Sequence, residues 1–106
     1  GGEKRVIAIA SVLAMNPRVI LFDEPTSFLD PQARRNVINT LDSLKMTKII
    51  ATHDLDMALD ICDRVIILHH GSVFADGTVK DILLDEKLLS QCHLELPLCM
   101  QKPRIR

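Results

Sequence analysis

The sequence has almost no excess of charge. Thirteen Lys and Arg against fourteen Asp and Glu leave a formal net charge of −1, which provides neither a basic footprint for nucleic acid nor a general attraction to anionic membranes. No apolar run approaches the roughly 20 residues needed to span a bilayer, and the opening "GGEKR" does not read as a signal peptide. Cysteines are few. Cys62, Cys92 and Cys99 are an odd number at uneven spacing, which argues against a disulfide framework and for a reducing compartment. Cys92, His93 and Cys99 lack the CxxC pair of a structural zinc site, and His69-His70 reads as a strand end and turn. There is no internal repeat, no low-complexity segment and no heptad run.

What remains is an ordinary globular composition, 47% hydrophobic and 25% charged over 106 residues, enough for one small domain with one core. The first residue is Gly rather than Met, and the chain is expected to begin inside a longer protein.

Val6 to Met15, "VIAIASVLAM", is apolar on nearly every face and predicts a helix packed on more than one side. It stops at Asn16-Pro17, because the residue before proline avoids the helical region. Val19 to Phe22 form a continuous apolar strand, of the kind found in a parallel sheet covered on both faces. Asp30 caps the next helix and Pro31 takes its first position. Ala33, Val37, Leu41 and Leu44 form the apolar stripe of that helix, with Arg34, Arg35 and Asn39 toward water. A second strand at Lys48 to Thr52, a helix capped by Asp54 and running to Cys62, and a third strand at Arg64 to Leu68 follow. This order predicts an α/β fold of three parallel strands joined by crossover helices. "HHGS" turns into a hairpin strand at Val73 to Ala75 that ends at Asp76-Gly77. Two short helices carry Val79, Ile82 and Leu83, then Leu88 and Leu89, and residues 92–106 are assigned to an aperiodic tail.

Ligands of open α/β sheets bind beyond the carboxyl ends of the strands. Two strands here end in ionisable residues, "LFDE" at Asp23 and Glu24 and "ATHD" at His53. Successive side chains on a strand point in opposite directions, so adjacent carboxylates at its mouth can divide the work. One can hold a hydrated Mg²⁺ while the other orients or deprotonates a water. Singly, each residue also has a plain structural reading, as turn former, helix cap or strand-end histidine.

In order, "GGEKR", a buried helix, "VILFDEP", "SFLD" and "ATHD" resemble the C-terminal half of the ATP-binding subunit of ABC transporters, a P-loop NTPase fold, and the likeness extends to about residue 85. By this resemblance Gly1, Gly2 and Glu3 are the surviving part of the signature motif. Asp23 stands in the Walker B position for Mg²⁺, Glu24 in that of the catalytic carboxylate, Ser27 to Asp30 in the D-loop, and His53 in the switch-histidine position. Two glycines at a helix start also let backbone N–H groups approach phosphate, where the helix N-terminus favours an anion. Glu3 stands where Gln is commonest and Phe28 where a small residue is usual. The stretch "ATHDLDMALDICDRVIILHHG" looks most like subunits of cobalt, nickel or vitamin importers of the energy-coupling type.

The resemblance implies ATP and Mg²⁺ as cofactors, a second ATPase subunit closing face to face, integral membrane transporter subunits as further partners, no nucleic acid, and a peripheral place on the cytoplasmic face of the membrane. No GxxxxGK followed by Ser or Thr occurs in these residues, so the phosphate-cradling loop is not among them. The chain thus reads as a partial nucleotide-binding domain, inactive by itself. Two rival readings are a chromosome-maintenance or DNA-repair ATPase, disfavoured by the missing coiled coil and near-neutral charge, and a noncatalytic interaction domain, which leaves the retention of Asp23, Glu24 and His53 unexplained.

Overall fold

A computed structural model describes residues 2–101; Gly1 and residues 102–106 lie outside the described residues. Length alone suggests one core, yet the chain gathers into two compact units, Gly1–Asp54 and Leu55–Arg106.

The first unit runs α1 (Gly2–Leu13), β1 (Val19–Asp23), α2 (Pro31–Ser43) and β2 (Thr47–Ala51). After α1, Asn16 takes a left-handed φ of 52° and its N–H bonds the Leu13 carbonyl at 2.9 Å, a helix ending that Asn tolerates and that Pro17 then enforces. Among the described residues only one stripe of α1 is covered. Ile9 is buried, whereas Ile7 and Met15 are 65% and 74% exposed, so the helix is not packed on several sides as its composition suggests. It lies close to α2 at Gly2, where a Cβ would stand 3.0 Å from that of Ala33.

Asp30 caps α2 as expected, its carboxylate accepting from the Ala33 N–H at 2.8 Å. Val37, Ile38 and Leu41 are fully buried on its inner face, each contributing roughly 1.5–3 kcal/mol. Arg34 does not point freely into water; it is half-buried and ion-paired with Asp54 at 2.8 Å.

β1 and β2 pair in parallel from Val19↔Thr47 to Asp23↔Ala51. Ile20 is buried, but Val19 and Leu21 are 51% and 73% exposed. Within the described residues the sheet is therefore covered on one face only. The apolar run conceals this because both faces of β1 carry apolar side chains.

The second unit holds α3 (Leu55–Ile61), β3 (Arg64–His69), β4 (Ser72–Thr78), α4 (Val79–Leu83), α5 (Glu86–Gln91) and a 3-10 turn at Leu98–Met100. Among the described residues the hydrogen-bonded sheets are the parallel pair β1–β2 in the first unit and the antiparallel pair β3–β4 in the second. The hairpin turns at His70-Gly71, as the sequence predicts. Both residues have positive φ, 51° and 76°, which is the type I′ geometry that folds a strand straight back onto its neighbour.

β4 does not end at Asp76-Gly77. Gly77 pairs with Val65, and its missing side chain leaves room for Ile82, whose Cδ1 would meet a Cβ there at 3.2 Å. Asp76 accepts from Arg64 across the ladder at 2.6 Å. Between Ile67↔Ala75 and Leu68↔Val73 the register slips, so Phe74 is the extra residue of a bulge.

Thr78 and Asp85 cap α4 and α5. Ala58, Ile67, Val79, Ile82, Leu83, Leu89 and Cys92 form the core of this unit. Residues 92–101 belong to it rather than to a tail. His93 turns left-handed at φ 57°, and bonds from Leu94 N–H to the Leu89 carbonyl and from His93 N–H to that of Ser90 close α5 in a Schellman motif. Leu94 and Leu96 then pack on the core. The Asp56 carboxylate accepts from the N–H groups of Leu98 and Cys99 at 3.1 and 2.9 Å. Among the described residues no helix is long and apolar enough to cross a membrane.

Candidate functional site

Parallel pairing sends the carboxyl ends of β1 and β2 out at the same end of their sheet, so the residues after Asp23 and Ala51 meet. Asp23 closes the register opposite Ala51, with its side chain exposed. Glu24 extends the ladder by one bond, its N–H donating to the Ala51 carbonyl at 2.8 Å. It does so at φ 48°, a left-handed conformation that costs a residue with a Cβ about 1–2 kcal/mol. Such strain persists only where the surroundings fix it, and it gathers at functional sites.

The surroundings that fix it are in the loop after β2. Glu24 Oε1 accepts from the His53 N–H at 3.0 Å, and Oε2 lies 3.3 Å from the Thr52 hydroxyl that donates to it. His53 Nε2 stands 3.7 Å from Oε1, with 93% of the imidazole exposed against 33% of the Glu24 side chain. That separation is too long for a hydrogen bond, so the main chain of His53 is anchored while its ring is presented to solvent.

The turn after Glu24 is closed by Ser27, whose N–H and hydroxyl both donate to the Glu24 carbonyl, at 3.3 and 3.0 Å. Arg5 of α1 donates to the Pro25 carbonyl at 2.7 Å, tying the turn to the helix. Phe28 sits at φ 60° and is fully exposed. Asp30 caps α2, Glu3 lies exposed in the first turn of α1, Gly2 faces Ala33, and Gly1 is outside the described residues. The structure thus brings Asp23, Glu24, Ser27 and His53 to one end of the sheet, and gives Asp30 and Gly2 local packing roles in α2 and α1. Thr52 was not singled out by sequence reasoning. A hydroxyl directly before "HD" is a weak signal, and its partner lies 28 positions away.

A groove of about 830 Å³ runs along α1 and β1 to these carboxylates, lined by Ile9, Val12, Leu21, Phe22 and Phe28 among others. Its lining is mostly apolar apart from Asp23, Glu24 and Ser27 at one end, and its basic residue, Arg5, is already engaged with Pro25. It has the wrong chemistry to cradle a triphosphate, which calls for backbone N–H groups and lysine.

The family described as "AAA domain, putative AbiEii toxin, Type IV TA system" matches residues 2–58, more than half of the chain and the whole of this arrangement. The chain belongs to that AAA-domain family. It is 52% identical over 95% of its length to a "Putative ABC transporter ATP-binding protein" of Geobacter sulfurreducens, of which it covers 41%. It is 39% identical over 95% of its length to the "Energy-coupling factor transporter ATP-binding protein EcfA2" of Methanospirillum hungatei, covering 26%. Among solved structures it resembles cbiO1 from Clostridium perfringens, described as part of the ABC transporter complex cbiONQ, with 37% identity and a TM-score of 0.71 over 91% of this chain and 40% of that one. The homologues and structural neighbours of this AAA-domain chain are ABC transporter ATP-binding subunits, and its α/β fold is that of the P-loop ABC ATPases. The chain spans about two fifths of the length of the first of these relatives. A chromosome-maintenance or repair ATPase is not favoured by these likenesses.

Proposed function

We propose that the chain is part of the ATP-hydrolysing subunit of an ABC transporter, with Glu24 as general base for the attacking water and His53 orienting that water against the γ-phosphate. The supporting observation is the strained Glu24, whose carboxylate is held by the main-chain N–H of His53 at 3.0 Å. One oxygen is fixed by that bond. The other accepts from the Thr52 hydroxyl at 3.3 Å, a long bond that leaves its remaining lone pair for a water.

Asp23 would hold Mg²⁺. Its exposed carboxylate at the strand mouth is a hard oxygen ligand, and Mg²⁺ is commonly bound by one or two carboxylates together with substrate phosphates and retained waters. Among the described residues no group of three or more His, Cys, Asp and Glu could hold an ion by itself, so the donor set fits a metal that arrives with nucleotide. A Mg²⁺ held there would supply neutralisation of charge on the transferring phosphoryl group.

Gly1, Gly2, Glu3, Ser27 and Asp30 face ATP held by a second ATPase subunit in this reading, and the chain docks on integral membrane transporter subunits from the cytoplasmic face. Cobalt, nickel or a vitamin is the proposed cargo, supported by the likeness to EcfA2 and to cbiO1.

The test is His53→Ala in the full-length subunit. Turnover falls much more than ATP affinity, because the histidine contact strengthens as the phosphoryl group develops charge. A proportional loss of affinity and turnover would make His53 a binding group and defeat the assignment. Uptake of labelled Co²⁺, Ni²⁺ or vitamin by cells expressing the assembled transporter identifies the cargo.

A further inference from the structure

The residue after His53 is tied into the same turn as Glu24. Asp54 Oδ2 accepts from the Thr26 hydroxyl at 2.7 Å and from Arg34 Nε at 2.9 Å, and Oδ1 accepts from Arg34 Nη2 at 2.8 Å. Arg34 thus grips the carboxylate with two parallel bonds, the fork geometry that gives an ion pair direction as well as energy. The pair is largely shielded, with side-chain exposures of 28% and 18%, unlike the solvated pairs that contribute little. Thr26 is 5% exposed and lies two residues beyond Glu24. The Asp54 N–H donates to the Thr52 hydroxyl at 2.9 Å, and that hydroxyl donates to Glu24.

We infer that Asp54, gripped by Arg34 and Thr26, is a positioning residue that holds the Glu24 turn and the His53 loop in register. The hydrogen bonds form a closed circuit. From Glu24 it passes through Thr52 to Asp54, through the Asp54 carboxylate to Thr26, and back along two residues of chain to Glu24. Arg34 anchors the circuit to the first turn of α2, whose inner face is fully buried, so the register of two loops is referred to a rigid element. None of these three side chains needs to touch nucleotide. Their effect reaches the reaction through where Glu24 and His53 stand, and a misplacement of about 1 Å can cost up to 10²-fold in rate.

The inference rests on the proposed hydrolytic roles of Glu24 and His53, and Glu24→Gln serves as the control that separates the two. In the full-length subunit, Thr26→Val keeps the shape of a buried side chain and removes only its hydroxyl. It is expected to lower kcat about 10-fold with KM for ATP within about two-fold of wild type, and Thr26→Ser to restore kcat. Asp54→Asn lowers kcat by about 10–100-fold, and Arg34→Ala combined with Asp54→Ala is no worse than the poorer single variant, because the two act as one unit. A readout independent of turnover is hydrogen exchange at the His53 N–H, which its bond to Glu24 protects. In Thr26→Val this exchange accelerates by more than the accompanying fall in thermal midpoint accounts for, since the lost charge-assisted bond also costs global stability. Wild-type kcat and His53 protection in both Thr26→Val and Asp54→Asn, with Glu24→Gln inactive, overturn the positioning role and leave the proposed function standing. Wild-type turnover in Glu24→Gln removes the proposed function and this inference with it.

Discussion

Two substitutions of Glu24 that delete the same carboxylate separate the strain at this position from its contacts. With φ at 48°, Glu24 carries about 1–2 kcal/mol of backbone strain that any residue with a Cβ shares. Glu24→Ala loses the acceptor of the His53 N–H and keeps the strain. Glu24→Gly loses the same acceptor and releases the strain, while gaining about 0.4–1 kcal/mol of unfolded-chain entropy to be overcome. The net expectation is that Glu24→Gly is more stable than Glu24→Ala by about 0.5–1 kcal/mol, the reverse of the order at an ordinary loop or helix position. For a subunit of 150–250 residues that is a difference of roughly 1–4 °C in thermal midpoint, measurable by calorimetry on matched preparations of the full-length protein. Both variants are expected to be inactive. An Ala variant equal to or more stable than the Gly variant would show that the left-handed conformation is not imposed at Glu24, and would remove the argument that its geometry is held for function.

Two further outcomes are expected. The pKa of His69 is lowered, first by desolvation and then by the neighbouring His70 and His93, so the folded state prefers the neutral ring. The stability this provides is present above the ordinary histidine pKa of about 6.5 and is lost as pH falls through the lower folded value. Thermal midpoints between pH 7 and pH 5 should therefore fall more steeply for wild type than for His69→Gln, and parallel curves would refute it. A polypeptide of these 106 residues alone should bind Mg-ATP weakly, since the phosphate-cradling loop is not in it, and should self-associate through exposed apolar residues such as Leu21 and Ile49. Titration calorimetry with light scattering checks both, and micromolar binding by a monomer would contradict them.

The parts of the site that follow from local chemistry were legible in the sequence. An apolar run closed by "DEP" marked the mouth of β1, Asp30-Pro31 marked the start of α2, and parallel pairing followed from strand, helix and strand in succession. What could not be read depends on partners distant in sequence or on backbone angles. Nothing in "DEP" announces that Glu24 is left-handed, because that conformation is imposed by Ala51 and His53. Asp76-Gly77 has the composition of a turn, yet Gly77 stays in β4 because Ile82 needs the space. Residues 92–101 have no periodicity, and their order comes from a Schellman closure and from Asp56, more than 40 positions upstream. The helix wheel places Arg34 toward solvent, and it cannot register that Asp54 comes to meet it.

The central claim is that Glu24 is the base in ATP hydrolysis, and the most direct measurement is steady-state hydrolysis and equilibrium binding of Mg-ATP by the full-length subunit and its Glu24→Gln variant. The amide keeps the size of the side chain and an oxygen to accept from the His53 N–H, but it cannot take a proton. The account predicts ATP binding close to wild type and hydrolysis slower by roughly 10²–10⁴-fold, the range for a positioned general base. Hydrolysis at the wild-type rate by a variant that still binds ATP would contradict it.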